Sequence, residues 1–63
     1  MDGIIIEVGD KFQTRDMKSI YTILEVINST SVRWDCIGRK VFYKKVSIGT
    51  IVSWIKEGKL VRI

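Results

Sequence analysis

The sequence predicts a mainly β domain of five short strands, with one short helix inserted before the last. Three observations carry that expectation. Short runs rich in β-branched and aromatic residues recur along most of the 63-residue chain, and such runs suit a pleated, half-buried surface. Only one stretch, near the C-terminal end, spaces its apolar residues at helical intervals. The connections between the early runs are of hairpin length, and none is long enough for the crossover that parallel strands require. The expected order is therefore β-β-β-β-α-β in a single domain over residues 1–63.

Ile4 to Val8 is apolar and mostly β-branched and is broken by Gly9-Asp10 before Phe12, which reads as a first strand with a bend or bulge. Phe12 is expected to anchor the core. Gln13 to Lys18 is polar, without Gly or Pro to fix a tight turn, and is expected as an exposed loop. Ser19 to Ile27 is the strongest strand signal, ending at Asn28-Ser29-Thr30-Ser31, a run of turn formers. Both of its faces are mainly apolar: Ile20, Thr22, Leu24 and Val26 on one side, Tyr21, Ile23, Glu25 and Ile27 on the other. A curved central strand buried in places on both sides accounts for this.

Val32 to Cys36 alternates, with Val32, Trp34 and Cys36 on one side and Arg33 and Asp35 on the other. A turn at Gly38-Arg39 would pair Trp34 with Tyr43 and Cys36 with Val41, leaving Arg33, Asp35, Lys40, Phe42 and Lys44 outside. A loop one residue longer exchanges Phe42 and Tyr43, so the sequence leaves open which ring faces outward. Ser47 to Glu57 places Ile48, Ile51, Val52 and Ile55 on one helical stripe. Ser47 suits its N-cap, Lys56 the negative end of the dipole, and Gly58 the position after the C-cap where a positive φ is needed. Gly49 weakens the first turn by about 1 kcal/mol relative to alanine, which leaves a 3₁₀ start as an alternative. Leu60 to Ile63 alternates as a last short strand.

This order over about sixty residues resembles the SH3-like small barrels, among them the Tudor and KOW domains, with a longer helix before the last strand. The stretches VGDKF, YTILEV, SVRWDC and VSIGTIVSWIKEGKLVRI are also similar to short open reading frames of phages and mobile elements. The resemblance implies a five-stranded SH3-like barrel and, from the phage-type likeness, a protein that modulates a host protein.

Composition narrows the function classes. A domain this small buries only about 60% of the surface its unfolded chain exposes, so a deep substrate pocket is not expected. Cys36 is the single cysteine and there is no histidine. That excludes an intrachain disulfide and removes the thiolate and imidazole set that zinc takes. Neither metal nor cofactor is expected, and Cys36 reads as a small buried hydrophobe. VGDKF has one glycine and cannot form a glycine-rich phosphate loop. No nucleophile has a base in evident reach, so the expectation is not an enzyme. The longest purely apolar run, Ile4 to Ile6, is far too short to span a bilayer, and no signal-peptide pattern opens the chain. A reducing cytoplasmic location is the expected one, without membrane association.

The informative feature is charge. Residues 1–32 hold Lys11, Arg15 and Lys18 against Asp2, Glu7, Asp10, Asp16 and Glu25, a net of −2; residues 33–63 hold eight cations against Asp35 and Glu57, a net of +6. Within Val32 to Val46, three of the six aromatic residues lie among five of the eleven basic ones. Arg33, Arg39, Lys40, Lys44 and Lys45 are the candidate phosphate contacts, and Phe42 or Tyr43 the candidate stacking ring for an unpaired base. Arg33 opposite Lys44 is a like-charge pair that Asp35 or an external anion would offset. The bland reading is that these cations only solvate an edge strand. Trp54, about 110° from the centre of the helical stripe at 100° per residue, either covers the barrel's end or anchors a partner. Two functions follow: nucleic-acid binding through the basic and aromatic hairpin, or a protein-interaction module that takes an acidic protein surface. An exposed Ile4 to Ile6 edge would add strand pairing with another chain or a homodimer.

Overall fold

The computed structural model describes residues 4–63; Met1 to Gly3, counted in the single domain expected over 1–63, lie outside the described residues. Five strands form one antiparallel sheet: β1 (Lys11–Thr14), β2 (Ile20–Val26), β3 (Ser31–Ile37), β4 (Lys45–Ser47) and β5 (Leu60–Arg62). The helix α1 (Ile48–Lys56) precedes β5. The sheet order is β4-β3-β2-β1-β5, so β4 and β5 are its edges and the sheet is not closed. Because α1 follows β4 directly and leads into β5, it joins the two edges and packs against both. Among the described residues, no helix is long and apolar enough to cross a membrane.

The core lies on the face that α1 covers. Phe12, Tyr21, Ile23, Val32, Trp34, Cys36, Ile51 and Leu60 are buried there together with Ile6. Clean alternation explains β3, where Val32, Trp34 and Cys36 point inward and Arg33, Asp35 and Ile37 outward. In β2 the mixed apolar pattern resolves through a bulge. Register shifts between Ile23 and Glu25, leaving Leu24 without a partner. The extra residue moves Glu25 off the side of Tyr21 and Ile23 and sets it opposite Arg33 on the outer face. Arg33 Nε donates to Glu25 Oε1 at 3.2 Å. The anionic partner of Arg33 is thus Glu25 and not Asp35, which lies opposite Thr22.

The Ile4 to Val8 stretch is not a strand. Glu7 donates its backbone N–H to the Asp10 carboxylate at 2.8 Å, Asp10 donates back to the Glu7 carbonyl at 3.1 Å, and Gly9 turns with φ 92°. The chain therefore doubles back before Phe12, and β1 begins only at Lys11. Both sides of β1 are then taken, by β2 and β5. The Ile5 carbonyl accepts from the Arg62 guanidinium, so the stretch expected to invite strand pairing or a homodimer is no sheet edge. The loop after β1 is also tighter than its composition suggested. Thr14 accepts from the Met17 N–H at 2.9 Å, Met17 takes φ 65°, and the Asp16 carboxylate accepts from the Thr14 hydroxyl at 2.6 Å and the Lys18 N–H at 3.0 Å. These bonds, the hydroxyl first, hold the Asp16 carboxyl below the usual carboxylate range.

The helix is capped at both ends. Ser47 Oγ accepts from the Thr50 N–H at 3.1 Å. Gly58, at φ 80°, donates to the Ile55 carbonyl at 3.1 Å, and Lys59 donates to the Trp54 carbonyl at 2.9 Å. That pair of bonds is a Schellman ending. Despite Gly49, the helix is α-helical from Ile48.

Candidate functional site

The β3–β4 connection departs most from expectation, and it builds the site. The register is Ser31 to Ser47, Val32 to Val46 and Arg33 to Lys45, not Trp34 to Tyr43 and Cys36 to Val41. Residues 38–44 therefore form a loop rather than a tight hairpin. The physical reason sits at its two ends. At Gly38, with φ 100°, the backbone passes so close to Lys18 that a Cβ would lie 2.1 Å from the Lys18 carbonyl oxygen. At the far end, Trp34 pins the loop twice. Its indole Nε1 donates to the Tyr43 carbonyl at 2.6 Å, and its backbone N–H donates to the Lys44 carbonyl at 3.0 Å.

The pinned loop folds over the aromatic end of the core and encloses an open cleft of about 490 Å³. Tyr21, Trp34, Arg39, Val41, Phe42, Tyr43, Val46 and Trp54 line it. Five of the six aromatic residues of the chain meet there. Tyr21 and Trp34, 6% and 2% exposed, form the floor, stacked at 4.1 Å between ring centroids and 26° between planes. Trp54 continues the stack, 6.2 Å from Trp34 at 17°. Phe42 meets Tyr21 edge-on at 6.4 Å and 76°. The rim is Val41 and Tyr43, 85% and 81% exposed. The outward ring is thus Tyr43, and Phe42 packs against the core. A second depression of about 250 Å³, lined by Thr14, Tyr21, Arg39, Trp54, Lys59 and Leu60, shares three residues with the first. The two form one groove with Arg39 and Trp54 at its middle.

Polarity in this groove is one-sided. Among the described residues, none that lines it is a carboxylate. On the floor, the Trp34 indole donates to the Tyr43 carbonyl, and the Tyr21 hydroxyl accepts from Arg39 Nη1 at 3.4 Å. Among the described residues that contact is the only hydrogen bond of the Arg39 side chain. A guanidinium has five N–H donors, so most of its fork remains open to an anion. Lys40 and Lys44 are exposed on the same loop, with no ion pair among the described residues.

The candidate residues accordingly divide. Arg39, Phe42, Tyr43 and Trp54 share the cleft, with Lys40 and Lys44 beside it. Arg33 and Lys45 do not join them. They are cross-strand partners on the outer sheet face, opposite the side of Val32 and Val46, and Arg33 is paired with Glu25. The expected opposition of Arg33 and Lys44 is replaced by that of Arg33 and Lys45. Tyr21, Trp34, Val41 and Val46 were not anticipated as lining residues. The one signal for Tyr21 was its position on the face of β2 shared with Ile23, which proves to be the buried face. No family model matches the chain, and no curated protein or solved structure shows significant similarity to it.

Proposed function

We propose that this protein is a non-catalytic binding module, a small basic domain of the SH3-like barrel type that binds nucleic acid through the 38–44 loop and its aromatic cleft. The observation that carries the reading is the joining of five aromatic rings with the open fork of Arg39 in a groove that no carboxylate of the described residues lines. Aromatic faces stack on bases, and cations at the rim neutralise phosphates; together they are the usual means of holding a nucleic-acid strand without reading its sequence. The element order, four strands, a short helix and a fifth strand in one antiparallel sheet, supports the SH3-like type, with the sheet itself open between β4 and β5.

Arg39, Lys40 and Lys44 are the phosphate-contacting residues in this reading. Three contacts to a single strand give a slope of log affinity against log salt of about −2, or roughly a 20-fold loss between 50 and 200 mM salt. Fluorescence anisotropy of labelled oligonucleotides at those two concentrations tests this. Binding with that slope supports the reading, and no binding at 50 mM salt refutes it.

A protein-interaction module, of the kind the phage-type resemblance implies, is the second reading. It is favoured by the apolar part of the same rim, where Val41 and Tyr43 are almost fully exposed.

A further inference from the structure

Resting on the nucleic-acid reading, we infer that the cleft is a pocket for a single unpaired nucleobase, with Arg39 holding the phosphate attached to it, so that the protein selects single strands over duplex. A base within a duplex has both faces covered by its neighbours and presents only its edges in the grooves. The cleft offers little to read an edge. The Trp34 indole N–H is taken by the Tyr43 carbonyl, and the side chains of Val41, Phe42 and Val46 are apolar, which leaves the Tyr21 hydroxyl, already accepting from Arg39, and the indole N–H of Trp54 as the side-chain groups that could meet an edge. What it does offer is an open cleft of about 490 Å³, within the usual size of small-ligand sites, lined by half-buried Phe42 and Trp54 and rimmed by exposed Tyr43. An aromatic lining of this kind takes a flat ring by its face, which only an unstacked base presents.

Charge complementarity selects the rest of the ligand. A purely apolar guest would gain nothing from the Arg39 guanidinium, and a cation would meet it as a like charge, with no lining carboxylate among the described residues to compensate. A nucleotide satisfies both parts at once, the base on the rings and the phosphate on the bidentate fork. Because Arg39 lies where the two depressions meet, the strand passes from the larger cleft across Arg39 toward Lys59. Stacking rather than edge recognition predicts little sequence preference.

Both tryptophans of the chain line the cleft, so intrinsic fluorescence reports its occupancy directly. The experiment titrates the full chain at 50 mM salt with a mixed-sequence ten-nucleotide strand, and separately with that strand annealed to its complement. Wild type is compared with Tyr43→Ala and Arg39→Gln, both at exposed positions that leave the core intact. The expected result is single-strand binding at least about tenfold tighter than duplex, with tryptophan quenching. Tyr43→Ala weakens the single strand about 5- to 100-fold, the range of one base stack, and leaves duplex binding unchanged. Arg39→Gln lowers the single-strand salt slope by about 0.7, one phosphate contact. Equal affinity for both forms, or a Tyr43→Ala effect shared by both, overturns the inference while leaving nucleic-acid binding in place. Absence of binding to either form removes the underlying reading as well. An acidic peptide bearing one phenylalanine that binds tighter than the strand and displaces it also overturns the inference, in favour of a protein ligand.

Discussion

Replacement of Gly38 by alanine tests whether the close approach of the 38–44 loop to the β1–β2 loop is what shapes the cleft. Two terms add at this position. At φ 100° a side chain meets the backbone strain of the left-handed region, which costs about 1–2 kcal/mol. The added Cβ would also lie 2.1 Å from the Lys18 carbonyl oxygen and 3.2 Å from both the Lys18 carbonyl carbon and the Ser19 Cα. All three are backbone atoms that cannot rotate away, and such overpacking costs about 1–3 kcal/mol. The sum, about 2–5 kcal/mol, is a large share of the roughly 3–9 kcal/mol expected for a domain of this length. Gly9 supplies the control. Its φ of 92° is nearly the same, but no atom of the described residues lies within 4 Å of its Cβ position, so Gly9→Ala should cost only the backbone term. Urea unfolding followed by tryptophan fluorescence should therefore rank the midpoints wild type, Gly9→Ala, Gly38→Ala, with the two variants separated by at least about 1 kcal/mol. Equal destabilisation by the two substitutions would refute the argument that the contact with Lys18 fixes the loop.

Other expectations follow from the helix, the indole pin and the carboxylates. Gly49 lies in the first turn of α1 with open space at its Cβ position, so Gly49→Ala should stabilise by about 0.5–1 kcal/mol in the same unfolding assay. Ser47→Ala removes the acceptor of the Thr50 N–H and should cost about 1 kcal/mol. Trp34→Phe keeps the buried ring but leaves the Tyr43 carbonyl without its indole donor; hydrogen exchange at the amides of residues 39–44 should accelerate while that of β2 holds. The Asp16 and Glu57 carboxyls both titrate below their ordinary range, Asp16 through the Thr14 hydroxyl first and Glu57 through the Ser53 hydroxyl first. A carboxyl with a depressed folded-state pKa adds stability above its unfolded value and loses it as pH falls through the folded one. Thermal unfolding temperatures should thus be flat from pH 7 to 5 and decline below, and the decline should be shallower in the Asp16→Asn, Glu57→Gln double variant.

Much of the scaffold was legible because it rests on local rules. The alternation of Val32, Trp34 and Cys36 fixed the faces of β3. Ser47 and Gly58 fixed the helix ends through backbone hydrogen bonding alone. The first strand was misplaced because Ile4 to Val8 has strand composition, while the turn after it depends on the Asp10 carboxylate capping Glu7 and on Arg62 binding the Ile5 carbonyl, a contact across most of the chain. The bulge at Leu24 leaves no mark in an apolar run, yet it decides that Glu25 neutralises Arg33. The site was legible only in part for the same reason. Arg39, Phe42 and Tyr43 are near neighbours in sequence, but Tyr21 and Trp54 reach them through the sheet and the helix. The hairpin register could not be read because Gly38 is set by Lys18, which lies in another loop.

The most direct measurement for the central claim is residue-resolved mapping of the bound strand. Amide and indole NMR spectra of ¹⁵N-labelled protein would be recorded as the ten-nucleotide single strand is added. The account predicts the largest shifts at the amides of Arg39, Val41, Tyr43 and Lys44 and at the indole N–H groups of Trp34 and Trp54, with Arg33 and Lys45 on the outer face little changed. Shifts centred instead on the outer-face residues Ile20, Ile37 and Val61, or no shifts at all, would contradict it.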